Sequence, residues 1–323
     1  MVVNREIPLP CRAGRMPVIF YGKGRDIFMS RKMHSANLVD TWSSCFKCPL
    51  CGSPVRVDGH ASLVCSKHHA FDFSKHGYLN LLTRPVVGKY GKSLFEARHH
   101  LITASSLYRP LHKALRDVIL KDAPEPASPW MMADLGCGEG SHLQSVMKAC
   151  GLPQVTGLGL DISKEGITLA AKRYEGSIWL VGDLAGLPLA DQSCRVLLNI
   201  LSPANYKEFT RILKQDGSIV KVVPGPGYLK ELRQALHGDN EKRNYSNEHT
   251  IDLFCRHFDR LDTIQLNYRQ RLSGAELQLL ASMTPLAWSA DPERLRDYVR
   301  QESAWVTVEL DILVGKSRRT GRK

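Results

Sequence analysis

A doubly wound α/β sheet preceded by a small cysteine- and histidine-rich module is the fold class this sequence predicts, on three observations. From Trp130 onward, short apolar runs alternate with helical stretches, the pattern of a parallel sheet covered on both faces. The first run ends in an acid and a glycine-rich turn, Asp134-Leu-Gly136-Cys-Gly138-Glu139-Gly140. Ahead of the sheet, Cys48-Pro-Leu-Cys51 and Cys65-Ser-Lys-His-His69 are separated by thirteen residues, ligand spacing suited to zinc.

The elements follow in order. Residues 1–41 show no helical or strand period, mix Pro, Gly and Arg, and contain Met16, Met29 and Met33. The expectation is a disordered leader, or an over-extended start with initiation at Met29 or Met33. Residues 42–82 form the Cys/His-rich module. Residues 83–129 are a connector, helical over 94–121 and ending in the proline-rich linker DAPEPASP. Strands are predicted at 130–135, 155–160, 178–182, 195–201 and 218–223, with helices at 141–150, 163–175 and 204–214. Beyond Pro224 come a helix (228–236), a charged loop (238–249), a strand (260–270), a helix (274–281) and a last strand (305–314). Residues 316–323 are a basic tail.

In the module, a CxxC turn aims two thiolates at one point, and Gly52 permits the positive φ such a turn needs. A second pair returning from a hairpin closes a tetrahedron, so the metal is expected to be structural. Cys48, Cys51, Cys65 and His69 are the favoured ligands. Cys45 makes a second CxxC with Cys48, and His60 and His68 are rival fourth ligands.

The glycines of the turn let the backbone bend tightly and let a ligand lie against it at the carboxyl edge of the sheet. A dinucleotide fingerprint places its third glycine one position later, to seat a pyrophosphate. Here Asp134, Asp161 in GLGLD and Asp183 in LVGD end three successive strands. Acids there repel a pyrophosphate and suit a cationic nucleoside. Asp134 is matched to a methionyl ammonium, Asp161 to ribose hydroxyls and Asp183 to an adenine amino group. The cofactor expected is therefore S-adenosyl-L-methionine. Asn199, a polar residue closing the fourth strand, is the candidate for contact with an acceptor base. His99 and His100 read as solvated helix residues.

The chain has 323 residues, 43% hydrophobic and 24% charged, an ordinary globular composition. No apolar run is long enough for a membrane helix, no secretory h-region is present, and nine cysteines, four packed into about twenty residues and the rest scattered, suit a reducing compartment. The expectation is a soluble, cytoplasmic protein. A net charge of +12 suggests a polyanionic partner, although most of the excess lies in residues 1–41 and 316–323.

The metal module runs directly into FDFSKHGYLNLL (71–82), then DLGCGEG (134–140), GLDISK (159–164), AAKRY (170–174) and MTPLAW (283–288). Across residues 45–315 this resembles the RlmA family of 23S rRNA (guanine-N1)-methyltransferases. The stretch from Asn199 to Phe209 is more similar to the Gram-positive subclass linked to tylosin-type macrolide resistance. The resemblance implies a Rossmann-like class I methyltransferase domain over 130–315. It implies cofactor contacts at Tyr108, Gly138, Glu139 and Tyr228, the last a histidine in some members, and zinc on Cys48, Cys51, Cys65 and His69. It further implies a homodimer whose modules flank a cleft for a 23S rRNA stem-loop. Left open are a small-molecule methyltransferase, and a zinc-dependent RNA-binding protein on an inactive domain.

Overall fold

The structure, a computed structural model, describes residues 29–86, 90–123, 128–238 and 246–318. An eight-stranded sheet runs β10-β11-β9-β8-β5-β6-β7-β4. Its parallel part comprises β5 (Trp130–Leu135), β6 (Val155–Asp161), β7 (Ser177–Val181), β8 (Cys194–Ile200) and β9 (Leu213–Pro224). The order reverses at β5, and the glycine turn leaves the sheet at that switch point. The sheet is mixed, because β11 (Ser303–Ser317) lies antiparallel to β9 and to β10 (Phe258–Ser273).

Both faces of β5 are covered, which is why all six of its residues are apolar or buried. Trp130 and Met132 pack with Leu111, Leu115 and Ile119 of α3 (Arg109–Lys121) and with Leu143 and Val146 of α4 (Ser141–Cys150). Met131, Ala133 and Leu135 point the other way, the period-two alternation of a strand. They share a core with Phe209 of α6 (Tyr206–Ile212), Phe254 of α8 (Glu248–His257) and residues of the N-terminal module. α5 (Lys164–Arg173), α7 (Lys230–His237), α9 (Gly274–Met283) and α10 (Pro292–Val299) complete the first face.

The module is therefore one of the covering layers. Its own sheet is β1 (Val55–Asp58), β2 (Ser62–Cys65) and β3 (Ala70–Asp72), all antiparallel. Cys45, Phe46, Leu63 and Phe73 enter the second core. β4 (Leu79–Asn80) pairs in parallel with β7, Leu79 opposite Leu180 and Asn80 opposite Val181. The GYLNLL segment thus supplies a strand of the eight-stranded sheet.

Several sequence expectations are corrected. Residues 31–41 are a helix, α1 (Arg31–Thr41), capped by Ser30 and burying Ala36 and Val39 against the module. The proposed leader is not structureless over that stretch, and its residues 1–28 lie outside those described. The single helix expected over 94–121 is two, α2 (Lys92–Ala104) and α3, because Pro110 has no N–H to continue a helix. Ser105 terminates α2, its Oγ accepting from Leu107 N at 3.2 Å. The charged loop gives way to α8 from Glu248, with 239–245 outside the described residues. The tail begins in β11, where Lys316 pairs with Asp122 at 2.9 Å, and 319–323 lie outside the described residues. No helix among the described residues is long and apolar enough to cross a membrane.

Candidate active site and metal centre

The glycine turn hooks over β6. Gly136 N and Cys137 N both donate to Leu160 O, at 2.8 and 3.1 Å. Gly136, Gly138 and Gly140 all have positive φ. At Gly140 a Cβ would run into the Trp179 ring, so φ and space both require glycine there.

Around this turn the structure gathers the strand-end acids. Asp134 is 1% exposed, and its Oδ1 is buried with no hydrogen-bond partner. Burial pushes its pKa up to about 7, against the opposing pull of Arg98. Asp161 accepts from Gly138 N through Oδ2 and from Ser163 N through Oδ1, both at 2.8 Å. Burial raises its pKa, and those two backbone bonds oppose the rise. Each oxygen keeps a lone pair, so the predicted ribose contact is compatible with this bracing. Asp183 stands exposed beyond β7, its Oδ1 accepting from Ala185 N at 2.9 Å.

Arg98 is the residue that sequence reasoning missed. From α2 its guanidinium reaches across the turn to form an ion pair with Glu139, which is fully buried, and also donates to Cys137 O at 3.4 Å. Truncating Arg98 to Met strands the Glu139 charge beside two further acids. We expect a loss of roughly 3–5 kcal/mol in denaturant unfolding, the usual cost of breaking a buried pair. An unchanged midpoint would show that the pair is not formed. His99, expected in solvent, is half-buried, with Nδ1 at 3.1 Å from both Ser141 Oγ and Tyr174 OH.

Tyr108 and Tyr228 come together, hydroxyl to hydroxyl at 2.6 Å, and the Tyr268 hydroxyl donates to Leu107 O. Burial raises the pKa of all three, so all three stay neutral phenols. Tyr108 is within electrostatic reach of Arg98 and packs edge-on against His142, centroids 5.1 Å apart. His142 Nδ1 is 2.9 Å from His112 Nε2, and burial depresses both pKa values, His112 to about 4.

Asn199 is committed to bonds inside the protein. It is fully buried, its Nδ2 donates to Leu135 O and Pro203 O at 2.6 and 3.0 Å, and its Oδ1 accepts from Lys221 Nζ at 2.5 Å. All its hydrogen-bonding capacity but one lone pair is spent on holding the loop after β8 against the glycine turn. Lys221, itself 3% exposed, also donates to Ser202 O at 2.9 Å, and burial lowers its pKa to about 8.

In the module, the ligand atoms of Cys48, Cys51, Cys65 and His69 all lie within 4.8 Å of one another. Cys51 Sγ to Cys65 Sγ is 3.7 Å, and His69 Nδ1 is 3.4 and 3.5 Å from Cys48 and Cys65 Sγ. A tetrahedron with Zn–S of about 2.3 Å has edges of about 3.8 Å, so the donor set fits zinc without rearrangement. Gly52 has φ +71°, as the knuckle requires. His60 and His68 are exposed turn residues, and Cys45 Sγ turns toward Ser193 O instead.

The donor chemistry of the catalytic edge also fits a methionyl nucleoside. A buried acid with an unpartnered oxygen suits an ammonium, the glycine turn admits close backbone approach, and exposed Ile162 beside Asp161 offers an apolar surface for a base. Fold and site define a class I S-adenosylmethionine-dependent methyltransferase carrying a structural zinc ribbon. Family comparison agrees. Residues 46–92 match the zinc-ribbon model described as RlmA, N-terminal, and residues 132–217 match a methyltransferase domain. The chain is 41% identical over 277 residues to YxjB of Bacillus subtilis, named for 23S rRNA guanine-N1 methylation, covering 84% of this chain and 97% of that protein. It is 31% identical over 250 residues to the 23S rRNA (guanine(748)-N(1))-methyltransferase of Streptomyces fradiae, covering 77% and 88%. The chain belongs to the RlmA family of 23S rRNA (guanine-N1)-methyltransferases.

Proposed function

We propose that this protein transfers the methyl group of S-adenosylmethionine to N1 of a guanine in a 23S rRNA stem-loop. The observation that carries the reading is the buried, unpartnered Asp134 Oδ1 beside a three-glycine turn, in a chain of this family. Bound S-adenosylmethionine supplies an activated methyl on a positively charged sulfur, and the protein supplies position. Asp134 takes the ammonium, Gly136, Gly138, Glu139 and Gly140 shape the turn, and Asp161 and Asp183 receive ribose and adenine. Tyr108 and Tyr228 close the site as a neutral, hydrogen-bonded pair. Cys48, Cys51, Cys65 and His69 hold zinc.

Guanine N1 is engaged in pairing within a duplex, so the substrate must present the base unpaired or let it be extruded. A stem-loop meets that need, and a net charge of +12 favours its phosphates. The similarity of the stretch from Asn199 to Phe209 to the tylosin-type subclass supports a link to macrolide resistance. We further propose a cytoplasmic homodimer, with 42–82 as the metal module and 130–315 as the catalytic unit. Primer extension on a 23S rRNA fragment treated with enzyme and cofactor tests the activity, because an N1-methyl group blocks pairing and stops the polymerase. A new stop at one guanine is expected. Full-length extension on treated and untreated RNA alike would refute the assignment, while sedimentation of the purified protein checks the dimer.

A further inference from the structure

Trp288 and Tyr90 take no part in the cofactor edge or the metal centre described above. Trp288 is 51% exposed and Tyr90 is 38% exposed, although aromatic side chains of this size are usually covered. Their rings meet at 5.4 Å between centroids, inclined by 50°. Tyr90 in turn meets Phe95 edge-on at 6.2 Å. Phe95 is buried, and its Cε1 stands 3.4 and 3.1 Å from where a Cβ on Gly138 or Gly166 would sit. Trp288, Tyr90 and Phe95 thus form an aromatic series leading from solvent to the glycine turn.

The outer end of the series is held in place. Trp288 N donates to Pro285 O at 3.2 Å at the end of a 3-10 turn, and His237 Nε2 contacts Leu286 O at 3.1 Å. Tyr90 precedes α2, the helix that also carries Arg98 over the turn. Trp305 is also half exposed, but Arg269 lies over its ring at 5.4 Å, so it makes a weaker candidate.

We propose that Tyr90 and Trp288 are the stacking platform for an unpaired nucleobase flanking the target guanine of the RNA. The inference rests on the RNA substrate proposed above. Two ring-to-ring steps of 6.2 and 5.4 Å separate Phe95 from Trp288. A base on Trp288 lies at the solvent end of this series, away from the glycine turn, and so belongs to a nucleotide other than the target. A flat aromatic face accepts any base and is worth about 1–3 kcal/mol per base, or about 5- to 150-fold in affinity. The platform holds the strand open so that the guanine beside it enters unpaired.

The test uses full-length protein, a 23S rRNA stem-loop fragment, and the same fragment with 2-aminopurine at each position flanking the target. Wild-type protein is expected to quench 2-aminopurine at one flanking position, and Trp288→Ala to abolish that quenching. The substitution should raise KM for RNA by about 5- to 150-fold while leaving the Kd for S-adenosylmethionine and the Tm unchanged. Trp288→Phe should restore most of the effect. An unchanged KM and quenching in both Trp288→Ala and the Tyr90→Ala, Trp288→Ala double variant would overturn the proposal. So would a parallel loss of cofactor affinity, or conversion of a dimer to monomer, which would assign the rings to a subunit contact. Wild-type protein that quenches without methylating would refute the functional reading and leave the platform standing.

Discussion

Serine at both Cys48 and Cys65 is expected to abolish zinc binding and to lower the stability of the whole chain by more than about 4 kcal/mol, because zinc affinity is folding free energy when no site preexists in the unfolded state. The effect should reach the catalytic unit because the module is joined to it by backbone and side-chain bonds. Lys47 N donates to Pro188 O at 3.1 Å, Ala190 N to Cys45 O at 2.9 Å, and Leu81 N to Val181 O at 2.8 Å. Trp42 Nε1 reaches Thr156 Oγ1 at 3.1 Å. Phe46, Leu63 and Phe73 share a core with Met131 and Leu160. Calorimetry should therefore show one transition that moves down as a unit in the variant, and likewise in wild-type protein stripped with a chelator. Two transitions, with the upper one unmoved, would show that the module is an independent bead.

Asp134→Asn is expected to stabilise the protein at pH 8 while weakening S-adenosylmethionine binding by about 10- to 150-fold, the scale of a hydrogen bond between charged groups. Burial lifts the native pKa of Asp134 to about 7. An acid raised above its unfolded value keeps its contribution to stability in full below the unfolded pKa, near 4, and loses it as pH rises through about 7. At pH 8 the native state thus carries an ionisation cost on the order of 4 kcal/mol, which the amide removes in part. The cofactor reverses the balance, since its ammonium needs the ionised acid. Wild-type affinity should climb between pH 6 and pH 8, and the Asn variant should show no such climb. Titration calorimetry at the two pH values reads both effects, and a flat wild-type profile would remove Asp134 from the ammonium site.

Asp134 and Asp161 stood out in the sequence because each closes an apolar run, and the fold sets both beside the glycine turn. The zinc ligands were legible because short spacing fixes their geometry locally. Arg98 was not legible. In KSLFEARHHLITA it looks like any solvated helix cation, and its partner Glu139 lies 41 residues on. Lys221 stood in plain view within the apolar run SIVKVV, but only the fold shows that it braces Asn199 and Ser202. Asn199 stood out as a polar group inside a hydrophobic strand, but only the fold shows it braced by Leu135, Pro203 and Lys221. α1 escaped because Ala36 and Val39 are too sparse to set a period, and what buries them is a core shared by the module and the sequence-distant main sheet.

The short β4 strand also has a bearing on how the protein fails. Its partner β7, SIWLV, is uncharged and entirely buried, and the segment that follows the metal module pairs along its outer edge. An uncovered strand of that character is a template for pairing with other chains. Demetallation, by lowering that single transition, should therefore raise the population of opened chains in which β7 is free to pair between molecules. Oxidative attack on the thiolates would then remove the protein from solution, and adding zinc afterwards would recover little of it.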